Sequence, residues 1–323
     1  MTSFPYKLLL TLLAFIVITY GAYVRLTDAG LGCPDWPGCY GKLIPQSGQG
    51  IEDYNSRKAW DEMIHRYLAS FLGLGILILS VGVWKHRKPA TGVPSEVVLV
   101  PLVIFQGALG MWTVTLLLKP IVVTAHLIGG ISTLSLLWWS VLKSSKFFHY
   151  TPPVTQSKWF SILLGVTFFA LVFQIFLGGW TSTNYAALAC TDLPKCHGRW
   201  IPETNFTEAF QIWRGLGTNY EFGILDSVSR STIHFTHRFW AVVTTILIFA
   251  LSLHAYFSGN YQFKVISKFI FIALFVQVFL GVMNIKTGLS LSVAVAHNAV
   301  AALLVLTVVT MIYAYTNNRR KHA

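Results

Sequence analysis

Residues 62–84 read EMIHRYLASFLGLGILILSVGVW, and after Arg66 no charge follows until Lys85. About 20 largely apolar residues are needed to cross a bilayer as a helix. Inside lipid the backbone must satisfy its own hydrogen bonds, and a helix does so without a partner. The stretch is therefore read as a membrane helix with a carboxyl, an imidazole and a guanidinium near one end. Working outward, seven more runs of this kind appear, at 8–27, 95–116, 121–142, 159–181, 231–257, 265–286 and 290–315. The chain of 323 residues is 54% hydrophobic and only 11% charged, against about a quarter charged in soluble domains. These features predict an all-α integral membrane protein.

The net charge of +12 needs no nucleic-acid partner, because cytoplasmic loops of membrane proteins collect Lys and Arg. Lys7, Lys85-His86-Arg87-Lys88, Lys143, Lys146, Lys158, Lys264, Lys268 and Arg319-Arg320-Lys321 all fall on one side, joined by one acid, Glu96. The other acids, from Asp28 to Asp226, fall on the opposite side. The expectation is a multi-pass protein of the cell (inner) membrane, both termini cytoplasmic and two long loops outside. The first run resembles a signal peptide, but a matching segment recurs in mid-chain, so it is read as a retained helix.

An internal repeat organises the chain. Cys33 and Cys39 match Cys190 and Cys196, both 157 residues on; His65-Arg66 matches His237-Arg238 at 172; Gln106, Gly110 and His126 match Gln277, Gly281 and His297 at 171. The predicted halves are 1–150 and 151–323, each a four-helix bundle, joined by Thr151–Ser157 with its Pro152-Pro153. Both halves begin on the same side. A parallel repeat of this kind calls for a pseudo-two-fold axis along the membrane normal.

Ionisable side chains inside membrane helices are costly and are functional candidates by default. His65, His126, His237 and His297 lie on the second, fourth, sixth and eighth runs. At about 1.5 Å per residue, each is expected within about 10 Å of its outer helix end. Two histidines on facing helices of one bundle suit both axial positions of a haem iron. The alternative, a polar histidine bonded across helices, does not account for four in register. Arg66 and Arg238 are candidates for haem propionates, since the guanidinium fork matches a carboxylate, or for snorkelling at the interface; Arg25 is a weaker one. His86, His149, His197, His254 and His322 are expected in loops or at helix ends. The halves differ at one telling place: Glu62, on the His65 face of its helix, is replaced by His234. A carboxyl there can relay a proton, whereas His234 is left as a spare ligand, a hydrogen-bond partner or neither.

All four cysteines fall in the two outward loops as Cys-x5-Cys pairs. An oxidising compartment favours disulfides Cys33–Cys39 and Cys190–Cys196, which either brace the loops or carry redox chemistry. The spacing is long for a zinc knuckle.

Gly30-Leu31-Gly32-Cys33-Pro34-Asp35-Trp36-Pro37-Gly38-Cys39-Tyr40-Gly41, Glu62-Met63-Ile64-His65-Arg66, and the placing of His126, His237 and His297 together resemble the haem A synthase family, the membrane haem O oxidases. The resemblance covers nearly the whole chain. It implies oxidation of the C8 methyl group of haem O to a formyl group, giving haem A for cytochrome oxidase, by successive hydroxylations through an alcohol and a hydrated aldehyde. It further implies that His65 and His126 bind the iron of substrate haem O, with Glu62 the catalytic carboxyl. His237 and His297 would be the metal ligands of a haem b cofactor. The implied partners are a haem O synthase that supplies substrate and an electron donor or acceptor. Two other classes explain part of the sequence. A di-haem b-type electron carrier accounts for the histidines but not Glu62. A quinone-linked thiol oxidase accounts for the cysteines but not the histidines. A transporter has no evident solute path.

Overall fold

The computed structural model describes residues 3–45, 55–86, 94–148 and 158–322, without the side chains of 319–322. The 151–157 linker, His149, Arg87 and Lys88 lie outside the described residues, as do the side chains of Arg319, Arg320, Lys321 and His322. Among the described residues eight helices are long and apolar enough to cross a membrane. They are α1 (Phe4–Leu26), α2 (Ser56–Lys85), α3 (Ser95–Thr115), α4 (Pro120–Lys143), α5 (Lys158–Thr183), α6 (Ser227–Phe257), α7 (Tyr261–Lys286) and α8 (Leu291–His322). Many large apolar side chains face outward, among them Phe71, Ile104, Phe169, Phe257 and Phe275. Such a surface belongs against lipid.

The helices start where caps dictate. Asn55 Oδ1 accepts from Lys58 N and opens α2; Asp226 accepts from Ser229 N and opens α6. A polar side chain in this position satisfies one of the first-turn N–H groups that has no partner within the helix. These caps lie 171 residues apart, so the helix starts repeat as well. Both helices begin earlier than hydropathy indicates, because their first turns are polar and stand beyond the apolar stretch. His65 and His237 consequently lie nine and ten residues into their helices, roughly 14–15 Å from the end rather than about 10 Å. His126 and His297 lie six residues in, about 9 Å.

In the first half α1 packs on α2, α2 on α3, α3 on α4 and α4 on α1; in the second α5, α6, α7 and α8 follow one another likewise. The halves meet through α4 and α8, with α1 against α8 and α4 against α5. The last two contacts are repeat mates of each other. Near the cysteine loops, Arg25 Nη2 donates to Ser182 O at 2.7 Å, and Tyr185 Oη donates to Asp28 at 2.7 Å. Both pairs are separated by 157 residues, the repeat offset. A residue that touches its own repeat mate lies beside the relating axis, an arrangement compatible with pseudo-two-fold symmetry. One buried apolar core runs through both halves, from Leu10 and Leu134 to Ile248 and Met311.

At the opposite end of the bundle, Lys7 of the basic side is not left to solvent. It is buried, 3.0 Å from Glu96, and Ser140 Oγ donates to the same carboxyl at 2.6 Å. The one acid on the basic side is thus the counter-ion of a lysine in the packed interior.

Candidate functional site

The two cysteine loops share one local structure. Cys33–Cys39 and Cys190–Cys196 are disulfides. Asp35 receives the N–H groups of Tyr40 and Gly41, each at 2.7 Å; Asp192 receives those of His197 and Gly198, each at 2.9 Å. Tyr40 and His197 adopt φ of 51° and 53°, and glycine follows each at φ 74° and 73°. These left-handed positions tighten the turn. The N–H donors hold the Asp192 carboxyl below its ordinary pKa. His197 is close to the second cysteine pair, but disulfide sulfurs are not thiolates and bind no metal in that state; its Nε2 pairs with Ser231 Oγ at 2.9 Å.

Each loop is tied down by the arginine that follows a histidine. Arg66 donates to the carbonyls of Asp35 and Gly38 (3.0 and 2.6 Å) and to the Glu62 carboxylate. Arg238 donates to Lys195, Cys190 and Asp192 carbonyls at 2.8–3.0 Å. Sequence reading offered these arginines to propionates or to snorkelling; the structure gives them loop carbonyls as partners. Glu62 is buried and its Oε2 accepts the Cys33 N–H at 2.8 Å; in the other half His234 Nδ1 accepts the Cys190 N–H at 3.1 Å. His234, whose role the sequence leaves open, is thus hydrogen-bonded to the loop backbone.

The loops cover the histidines. The His65 and His126 rings have centroids 6.5 Å apart and planes 80° apart. An imidazole nitrogen binds a metal at about 2 Å, so rings on opposite sides of one ion have centres roughly 6 Å apart. The spacing fits a single iron between them. Both buried Nδ1 atoms have no protein partner among the described residues. Around the pair is a cavity of about 430 Å³, reached by Glu62, Arg66, Arg25, Gln106 and Trp36. It falls within the roughly 300–1,000 Å³ of small-molecule sites, and most of its wall is apolar, as a tetrapyrrole requires. In the second half, Gln174 Nε2 stands 3.2 Å from His237 Nδ1 and Gln277 Nε2 stands 3.3 Å from His297 Nε2. His254 stacks on Phe160 away from either pair.

Four glycines position the four imidazoles. A Cβ built on Gly21 would stand 2.8 Å from His65 Cε1; on Gly110, 3.5 Å from His126; on Gly178, 3.4 Å from His237; on Gly281, 3.3 Å from His297. Each ring edge rests against the bare backbone of a neighbouring helix. Gly21 and Gly178 escaped the sequence reading, although their separation of 157 was a legible signal. Asn298 was also missed: it follows His297 on α8 but lines the first-half cavity. Nothing in the sequence marks that crossing, since it depends on how the halves dock.

Residues 6–309 match the COX15-CtaA family, described as cytochrome oxidase assembly protein. The chain is 44% identical over 308 residues to a protein of Shewanella oneidensis named heme A synthase, covering 92% of each chain. Proteins of the same name from Rhizorhabdus wittichii and Alkalihalophilus pseudofirmus are each 27% identical, over 92% and 95% of this chain and 89% and 96% of theirs.

Proposed function

The chain belongs to the COX15-CtaA family of cytochrome oxidase assembly proteins and makes haem A; we propose that it does so by oxidising the C8 methyl group of haem O to a formyl group in the 1–150 half. The observation that carries this reading is the pair His65 and His126, spaced for one iron, in a cavity that also contains a buried carboxyl. His237 and His297 hold a haem b in the 151–323 half. When bound, that haem supplies one-electron chemistry.

The chain's own residues do the rest. His65 and His126 bind the substrate iron from two sides and so fix where the macrocycle edge lies; orientation of this kind lowers the barrier before any bond changes. Glu62 lies one helical turn before His65 and reaches the same cavity, where its carboxyl is placed to take up or return a proton beside the edge of the bound substrate. Arg66 holds Glu62 by an ion pair and holds the cysteine loop over the site, which keeps bulk water out. The disulfides keep those loops closed. The loops lie outside the cell membrane, the Lys7 end and both termini lie in the cytoplasm, and substrate comes from a haem O synthase in the same bilayer.

The experiment is pigment analysis of purified protein, separating haems B, O and A, before and after supply of haem O with an electron donor or acceptor. Haem b retained throughout and haem O turning into haem A support the reading. Two identical, non-exchanging haems would make the protein an electron carrier instead.

A further inference from the structure

The wall of the first-half cavity is thin along one seam. Ser70 and Gly73 of α2, with Val103 and Gly107 of α3, line the cavity, and Ser70 and Gly107 are also exposed. A Cβ at Gly107 would meet nothing within 4 Å, and one at Gly73 would meet Val103 Cγ1 at 3.3 Å. The seam is flanked by outward-facing Phe71, Ile104 and Phe105, so it looks onto lipid. The other approach, past the outer helix ends, is covered by the first cysteine loop, whose Trp36 lines the cavity roof.

The second half has the same backbone plan and different side chains. At the repeat offsets, Ser70 becomes Val242, Gly73 becomes Thr245, Val103 becomes Leu274 and Gly107 becomes Val278. All four replacements are bulkier. Val242 and Val278 are exposed, at 60% and 45%, where the first half has Ser70 and Gly107.

A resident cofactor has to be kept, whereas a substrate and its product have to pass. A tetrapyrrole is large and apolar, and its reservoir is the bilayer. We propose that the α2–α3 seam at Ser70, Gly73 and Gly107 is the doorway through which haem O enters from lipid and haem A returns, and that Val242 and Val278 close the equivalent seam. This rests on the first half being the substrate site.

The test uses the full chain, purified with its resident haem and placed in lipid nanodiscs. Haem O is added, and its binding to the first-half histidines is followed by the change in Soret absorbance with time. Ser70→Leu and Gly107→Leu are expected to slow uptake about tenfold or more, with the resident haem content unchanged. Uptake at the unmodified rate in both variants overturns the doorway. Should the leucines prevent folding, seen as loss of resident haem, the converse variant Val242→Ser/Val278→Gly decides. It is expected to lose resident haem to excess apomyoglobin about tenfold faster, and an unchanged rate overturns the proposal. Unmodified protein that takes up haem O and never converts it sinks the substrate reading and leaves the doorway standing.

Discussion

Glu62 and His234 occupy the same place in the two halves and accept the same hydrogen bond, Glu62 from the N–H of Cys33 at 2.8 Å and His234 from the N–H of Cys190 at 3.1 Å. Docking the cysteine loop is thus common to both halves, and a carboxyl group is peculiar to one. The two roles of Glu62, structural acceptor and proton carrier, are separable by substitution.

Glu62→Gln keeps an oxygen acceptor for Cys33 and removes the ionisable group. Conversion of haem O is expected to fall about 10²–10⁴-fold, the usual worth of general acid–base catalysis, with resident haem content retained and Tm lowered, because Arg66 loses its buried counter-ion. Glu62→His, which copies the second half, is expected to hold the loop and be equally inactive. Full conversion by either variant removes Glu62 from the chemistry.

Gly21→Val places a branched side chain where even a Cβ stands 2.8 Å from the His65 ring. His65 has to turn away, and haem O binding in the first half is expected to weaken severely. The repeat mate Gly178→Val is expected to release the resident haem instead. Soret spectra of the purified variants distinguish the two outcomes.

Glu96→Ala leaves the buried Lys7 ammonium without its counter-ion. Removing one partner of a buried pair costs about 3–5 kcal/mol. The effect should appear as a lower Tm of the detergent-solubilised protein. The double variant Lys7→Met/Glu96→Leu should recover much of the loss. Both residues stand at the end away from the histidines, so haem occupancy at low temperature should be normal.

Acid should loosen the second cysteine loop. The Asp192 pKa lies below its ordinary value because Gly198 and His197 N–H groups favour the carboxylate. For a depressed carboxyl, the stabilisation is present above the unfolded pKa and is lost as pH falls through the folded one. Reduction of Cys190–Cys196 by an acid-tolerant phosphine should therefore accelerate below about pH 4. Asp192→Ala should be reduced quickly across the whole range.

Much of this was legible in the sequence. Apolar run length fixes a membrane-spanning helix because lipid offers the backbone no partner, and all eight spans were readable. Repeat offsets of 157, 171 and 172 exposed the histidine quartet, the cysteine pairs and the exchange of Glu62 for His234, since identity of residue type needs no coordinates. Helix starts were misplaced at α2 and α6 because hydropathy marks the lipid-embedded part and is blind to a capped polar turn. Tertiary structure alone decided the rest. Docking turned Lys7 inward onto Glu96, gave Arg66 and Arg238 to loop carbonyls, rested each imidazole on a glycine of another helix, and carried Asn298 into the opposite half's cavity. Each depends on the angle and depth at which helices pack, quantities set jointly by many side chains and written at no single position.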